Sequence, residues 1–235
     1  GAGADSLSDI TFDVAPGETV GIIGGTGSGK SSLVNMIPRF YDASQGSVCI
    51  DGVDVKDYTL DELRHKVGVV PQKAVLFAGT IADNIRWGKQ DATEAEIDEA
   101  LEIAQAKEFV DGKENGIYFK ITQGGKNLSG GQKQRLTIAR AVVRKPEILI
   151  LDDSASALDF ATDAALRKAI REKTKGMTVF LVSQRASTIM NSDKIIVMDD
   201  GQIAGIGTHR QLLSNCEIYR EICQSQLSEE ELSHE

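Results

Sequence analysis

The run Gly24-Gly25-Thr26-Gly27-Ser28-Gly29-Lys30-Ser31 sets one lysine and one hydroxyl behind closely spaced glycines. Glycines let the backbone curl until successive N–H groups point inward at a single anion. The lysine adds a point charge for β- and γ-phosphates, and the serine hydroxyl can ligate Mg²⁺. This order fits G-x-x-x-x-G-K-[ST], the loop that cradles a nucleoside triphosphate, and Ser32 joins the candidate phosphate ligands on the helix that the loop opens. Further along, Ile148-Leu149-Ile150-Leu151-Asp152 is an apolar strand ending in a carboxylate, which makes Asp152 a candidate to hold Mg²⁺. Between the two, Leu128-Ser129-Gly130-Gly131-Gln132 places an N-capping serine before two glycines and a helix whose dipole would face an anion. It reads as a second phosphate-binding terminus.

Such groups need alternating strands and helices to hold them. Residues 19–23 form an apolar strand entering the glycine loop, 31–37 a short helix stopped by Pro38, and 47–50 and 67–70 short strands. Ile10, Phe12 and Val14 alternate with polar neighbours as in a half-buried strand, which Pro16-Gly17 turns into the next. The middle of the chain shifts to helical spacing, with Ile97, Leu101 and Ala104 in 94–104 and Leu136, Ile138, Ala139 and Val142 in 131–143. Beyond Pro146, apolar strands return at 148–151, 178–182 and 194–198, with a helix over 162–171. These patterns predict an α/β fold: a mostly parallel sheet covered by helices, with a helical insert.

A chain of 235 residues, 41% hydrophobic and 26% charged, has the balance of one α/β domain with a small subdomain. No apolar run approaches the roughly 18 to 20 residues of a membrane-spanning helix. Residues 1–6 lack the basic start and apolar centre of a secretory signal. A formal charge of −9 speaks against nucleic acid as a partner, because phosphate backbones reward Lys and Arg. Cys49, Cys216 and Cys223 contain no C-x-x-C pair and suggest neither a disulfide framework nor a zinc site; packed thiols in a reducing cytoplasm are the expectation. The polar, acidic residues 224–235 read as a solvated tail.

Leu128-Ser129-Gly130-Gly131-Gln132, followed by Lys133-Gln134-Arg135, resembles the signature motif of the ABC ATPases, and the resemblance extends over essentially the whole chain. It implies a P-loop NTPase with a RecA-like core, an antiparallel β edge and an α-helical ABC subdomain. Residues 1–235 would be a single ATP-binding domain, with 1–72 and 144–223 as core and β subdomain, 73–143 as helical subdomain and 224–235 as tail. ATP and Mg²⁺ are the implied ligands. Gln72 would be the Q-loop glutamine that touches Mg²⁺ and the attacking water, and Ser156-Ala157-Leu158-Asp159 the D-loop. The family's dimer is head-to-tail, with ATP sandwiched between the glycine loop of one domain and the signature of the other. Residues 75–85 are similar to the segment after the Q-loop in exporters of the multidrug type. That similarity implies a peripheral domain on the cytoplasmic face of the cell membrane, partnered by a transmembrane domain and its coupling helix. Leu76 and Phe77 would be either contact residues there or subdomain core.

Three places depart from the family's pattern. Asp153 stands where most active members carry glutamate as general base for the attacking water, shortening the reach by roughly 1 to 1.5 Å. Losing such a base costs on the order of 10² to 10⁴ in rate. Gln184, in Val182-Ser183-Gln184-Arg185, stands at the switch histidine; its amide can donate to a γ-phosphate but carries no charge. Thr122-Gln123-Gly124-Gly125-Lys126-Asn127 lacks the glutamate-containing loop common before the signature in homodimeric exporters. Together they resemble the degenerate-site half of a heterodimeric exporter, in which Lys30, Asp152 and Asp153 would form a slow site with a partner's altered signature, with Asp153, Gln184 and Gln72 as its catalytic candidates, while Ser129 to Gln132 complete the partner's competent site. The family stacks adenine on an aromatic residue upstream of the glycine loop, but Phe12 alternates as a core residue, so the chain is expected to begin just after that aromatic and to lack the transmembrane domain. Two other readings compete: a soluble ABC ATPase of a nucleic-acid or translation machine, disfavoured by the acidic charge, and a nucleotide sensor that never hydrolyses.

Overall fold

Val20 and Ile22 are fully buried and Ile23 nearly so, because their strand is covered on both faces, the setting in which a continuous apolar run is stable. In the computed structural model, which describes residues 6–228, this strand is β1 (Thr19–Gly24). The chain divides into two compact units, Gly1–Val67 with Thr178–Glu235 and Gly68–Met177. In the first unit, β1 is followed by α1 (Lys30–Asn35), the two-residue strands β2 (Cys49–Ile50) and β3 (Val53–Asp54), and α2 (Leu60–Lys66). β2 and β3 pair antiparallel through Asp51-Gly52, whose φ values of 53° and 78° are the left-handed pair that a type I′ hairpin requires.

The chain enters the second unit along β4 (Val67–Val70). There it forms β5 (Gly79–Thr80), α3 (Ile81–Arg86), α4 (Glu94–Ile103), α5 (Lys107–Asp111), β6 (Lys120–Ile121), α6 (Gly130–Val142), β7 (Ile148–Asp152) and α7 (Phe160–Lys173). β5 pairs antiparallel with β6, α6 packs on α3 and α4, and α4 packs on α7. The apolar positions at helical spacing are the ones buried: Ile97, Leu101, Leu136 and Ile138. One buried polar residue organises this unit. The Asn84 side chain accepts from Phe77 N at 2.9 Å and donates to Phe77 O at 2.9 Å and Thr80 O at 3.0 Å, so its polar atoms are satisfied away from water.

Back in the first unit come β8 (Thr178–Val182), α8 (Ala186–Ile189), β9 (Lys194–Asp199), β10 (Gln202–Gly207), α9 (His209–Asn215) and α10 (Glu217–Gln226). β1 lies between β8 and β9 and is parallel to both. β10 is the antiparallel edge on β9, reached by a second left-handed Asp-Gly turn at Asp200-Gly201, with φ of 43° and 76°. α10 is anchored by fully buried Tyr219 and Cys223, and Tyr219 Oη bonds to His209 Nδ1 of α9 at 2.7 Å.

The expected parallel strands with covering helices are present, but some local expectations differ. Residues 10–14 show the alternating exposure expected of a strand yet lie outside regular structure, since no ladder among the described residues includes them. α1 ends at Asn35, and Met36 and Ile37 continue in i→i+3 bonds of 3.2 Å to Leu33 and Val34 before Pro38. Cys216 and Cys223 are buried as expected, whereas Cys49 is exposed on a two-residue hairpin strand. Residues 224–226 are the last of α10; 1–5 and 229–235 lie outside the described residues.

Candidate functional site

β1 delivers the chain into the glycine loop, which closes around Lys30. The ammonium donates to Gly24 O at 2.8 Å, Gly25 O at 2.6 Å and Ser28 Oγ at 3.3 Å, and only 8% of the residue is exposed. A charge withdrawn this far from water needs its donors met, and the loop meets them. Gly24 makes the close turn possible: a Cβ there would lie 2.1 Å from Met198 O and 2.7 Å from Ser28 Oγ. Gly25, Thr26 and Gly27 form an exposed rim, Ser28 is buried beneath it, and α1 opens on Gly29 with no side-chain cap. Ser31 is exposed and Ser32 half-buried on the first turn of α1. The β9–β10 turn props the loop from below, Gly201 N donating to Ser28 O at 3.2 Å.

β8 runs beside β1 with Val182 opposite Ile22, and Ser183 N donates to Ile22 O at 3.0 Å. The glycine loop and Gln184 therefore leave adjacent parallel strands at the same carboxyl end, the side on which open α/β sheets bind ligands. The Gln184 residue is exposed. Its main chain is held from α10, where Gln226 Nε2 donates to Gln184 O and Gln226 Oε1 accepts from Ala186 N, each at 2.8 Å.

In the second unit, β7 ends at Asp152, which is 8% exposed. The next residue, Asp153, has φ of 45°, a left-handed conformation that costs an L-residue roughly 1–2 kcal/mol and that aspartate tolerates better than most. Gln72, just beyond β4, donates from Nε2 to Asp153 Oδ2 at 2.9 Å, so two catalytic candidates far apart in sequence meet. The signature serine is the N-cap of α6. Ser129 Oγ accepts from Gln132 N at 3.2 Å while Gln132 Oε1 accepts from Ser129 N at 3.1 Å, a reciprocal cap written in the sequence as S-x-x-Q. A Cβ on Gly131 would lie 3.2 Å from Ala157 O, so the signature sits closely on the 156–159 segment. There Asp159 caps α7, accepting from Thr162 N at 2.9 Å and Thr162 Oγ1 at 2.7 Å, and the Thr162 amide above all holds its carboxyl below the usual range.

The same unit carries an aromatic surface beside this machinery. Phe77 and Trp87 stack with ring centroids 4.7 Å apart, and Val75, Phe77 and Trp87 are all exposed, whereas Leu76 is core at 1% exposure. Val75 and Trp87 line a cavity of about 180 Å³ together with Gly68, Pro71, Thr137 and Arg140. Arg140 supports it, donating to Val75 O, Asn84 O and Asn84 Oδ1 at 2.8 to 2.9 Å, and its guanidinium lies 5.6 Å from the Phe77 ring. Sequence reasoning did not single out Asn84, Arg140 or Gln226; Arg140 and Gln226 reach partners 40 or more positions away, whereas Asn84 bonds to Phe77 and Thr80 nearby. The Asp200-Gly201 turn under the glycine loop did carry a hairpin signal.

The ABC transporter family profile matches residues 7–156. The chain belongs to the ABC transporter family. It is that family's ATP-binding and hydrolysing domain, and its fold is the family's P-loop NTPase fold. A probable multidrug resistance ABC transporter ATP-binding/permease protein of Bacillus subtilis is 46% identical over 218 residues, 93% of this chain and 37% of that protein. An ATP-dependent lipid A-core flippase of Hahella chejuensis is 42% identical over 228 residues, 97% of this chain and 39% of the flippase. Among solved structures, a bacterial Atm1-family ABC exporter with ATP bound superimposes with a TM-score of 0.93 at 38% identity, covering 97% of this chain and 40% of that one. The ABC domain thus spans about two fifths of the length of these relatives.

Proposed function

We propose that this chain is the ATP-driven motor of an exporter, that it closes head-to-tail with a second ABC domain, and that its own site hydrolyses slowly. The observation that carries the reading is the pairing, in one chain, of a lysine-centred glycine loop with a helix capped by Ser129. Lys30, the 24–29 backbone and Ser32 would hold the phosphates of one nucleotide, with Ser31, Gln72 and Asp152 holding Mg²⁺. The bound ion supplies neutralisation of charge on the transferring phosphoryl group. Ser129 Oγ already accepts from Gln132 N, which leaves the hydroxyl hydrogen to donate to a γ-phosphate held by the partner domain, with Gly130 and Gly131 allowing close approach. ATP then bridges two subunits, and its hydrolysis lets them part.

Support for a slow site comes from the acidic turn. In this reading Asp153 would take a proton from the attacking water, but it is one methylene short of glutamate and one of its oxygens is engaged by Gln72. Gln184 can donate to γ-phosphate without adding charge. The test is phosphate release at saturating Mg-ATP for the wild type and for Asp153→Glu combined with Gln184→His. A rise of at least about tenfold is expected, a conservative floor beneath the roughly 10² to 10⁴ that a positioned base contributes. No rise would remove the slow-site reading and leave the family assignment standing.

The exposed Val75, Phe77 and Trp87 surface, backed by Arg140, supports docking of a transmembrane partner, with Phe77 as a contact residue; large exposed apolar groups around a cavity are typical of such interfaces. The helical 73–143 segment would then relay that contact to Gln72, while 1–72 and 144–223 hold nucleotide at the cytoplasmic face of the membrane. Among the described residues no helix is long and apolar enough to cross a membrane, so the spanning part belongs to another domain in this reading.

A further inference from the structure

Residue 226 is polar, exposed and in the last turn of a helix, a position where a glutamine usually does no more than face water. Here both ends of its amide are used. Nε2 donates to Gln184 O and Oε1 accepts from Ala186 N, each at 2.8 Å, so one side chain closes a two-way bridge over the peptide that carries Gln184. Only an amide can both donate and accept in this way; a carboxylate could serve Ala186 alone, and an ammonium could serve Gln184 alone. Ala186 is the first residue of α8, whose N-cap Arg185 makes no side-chain cap bond, so Gln226 supplies the partner that a cap would otherwise give.

The rest of the loop is fixed from the other side. Ser183 N donates to Ile22 O at 3.0 Å, which ties the start of the loop to β1, and Arg185 N donates to Ser183 Oγ at 3.0 Å. Gln226 is itself mounted on a packed element: Tyr219 and Cys223 of α10 are fully buried and Tyr219 bonds to His209 at 2.7 Å. A side chain as long as that of Gln184 magnifies any rotation of its backbone, and misplacement by about 1 Å can cost up to 10²-fold in rate.

We infer that Gln226 is a positioning residue for turnover: its amide holds the Gln184–Ala186 main chain so that the Gln184 side chain starts from a fixed base beside the glycine loop. The inference rests on the proposed role of Gln184 toward γ-phosphate. C-terminal helix and nucleotide site are thereby linked through one hydrogen-bonded amide.

The experiment measures kcat and KM for Mg-ATP, and amide hydrogen exchange at Ala186, in the 235-residue chain and four variants: Gln226→Ala, Gln226→Glu, Gln184→Ala and the double Gln184→Ala/Gln226→Ala. Gln226→Ala should lower kcat by about three- to tenfold with KM within about twofold, and should speed exchange at Ala186. Gln226→Glu should keep that amide protected and lose less kcat. The double variant should be no slower than Gln184→Ala, because Gln226 acts through Gln184. Additive losses in the double variant, or an unchanged kcat in Gln226→Ala where Gln184→Ala is slow, would overturn the inference. If Gln184→Ala costs nothing, the role given to Gln184 fails and the inference fails with it; exchange at Ala186 then separately reports whether the bridge exists.

Discussion

The two helix starts that face phosphate in the proposed mechanism are built in opposite ways. α1 opens on Gly29 without a side-chain cap, and its loop is held by main chain: Lys30 on the carbonyls of Gly24 and Gly25, and Ser28 O on Gly201 N. α6 opens on Ser129 in a reciprocal cap, the adjoining α7 opens on Asp159, and the acidic turn between β7 and α7 is held by the Gln72 amide. Glycine-built backbone presents N–H groups to an anion whatever the nucleotide's state, whereas capped ends spend donors internally and offer side chains instead. The first arrangement suits constant grip, and the second suits contacts that form and break with a partner.

The largest expected effect tests the grip. Lys30→Ala should weaken Mg-ATP binding by about 100-fold, because charge-assisted bonds are worth about 1.5–3 kcal/mol each and the carbonyls of Gly24 and Gly25 lose their donor. Titration calorimetry reads it; a loss below about threefold would mean the loop does not depend on its lysine. A smaller effect tests the acidic turn. Asparagine at 153 can still accept from Gln72, so Asp153→Asn removes the charge and spares the geometry. If the site is already slow, turnover should fall by less than about tenfold, well short of the 10² to 10⁴ lost with a working base. A thousandfold drop would make Asp153 a competent base and erase the contrast in catalytic quality.

The glycine side of this contrast could be read from the amino-acid order, and the capped side only in part. The 178–182 strand was placed to the residue because a buried parallel strand is a continuous apolar run. The glycine loop was found because its geometry depends on residue types adjacent in the chain. Ser129 was recognised as a cap for the same local reason. By contrast, the Gln72–Asp153 bond joins residues 81 positions apart, and Gln226 reaches Gln184 over 42, so nothing in either segment marks the partner. Residues 10–14 failed for the complementary reason: alternation describes one exposed face, and a strand also needs a neighbour to pair with. Asn84 is buried in a helix because the carbonyls of Phe77 and Thr80, both within seven positions, satisfy its amide, a local fit that its polarity argues against.

A still smaller change separates the glycine loop from its prop. Alanine at Gly201 would occupy a φ of 76° and put its Cβ 2.7 Å from Ser6 O, so Gly201→Ala should cost about 1–3 kcal/mol in urea unfolding and loosen the loop above it. A neutral result would show that the β9–β10 turn yields without disturbing Ser28.

The smallest effect exploits the fact that side-chain caps titrate and a glycine backbone does not. Asp159 has its carboxyl held below the usual carboxylate range, first by the Thr162 amide and then by the Thr162 hydroxyl. A depressed folded pKa means the cap's contribution is complete above the unfolded value and disappears as pH falls through the folded one. Asparagine caps helices about as well as aspartate and does not titrate. The Tm difference between wild type and Asp159→Asn should therefore be constant from pH 7 to about 5 and shift in favour of the variant below about pH 4. Parallel curves at every pH would mean the Asp159–Thr162 bonds contribute nothing to stability, and the capped end would then be no more pH-sensitive than the glycine one.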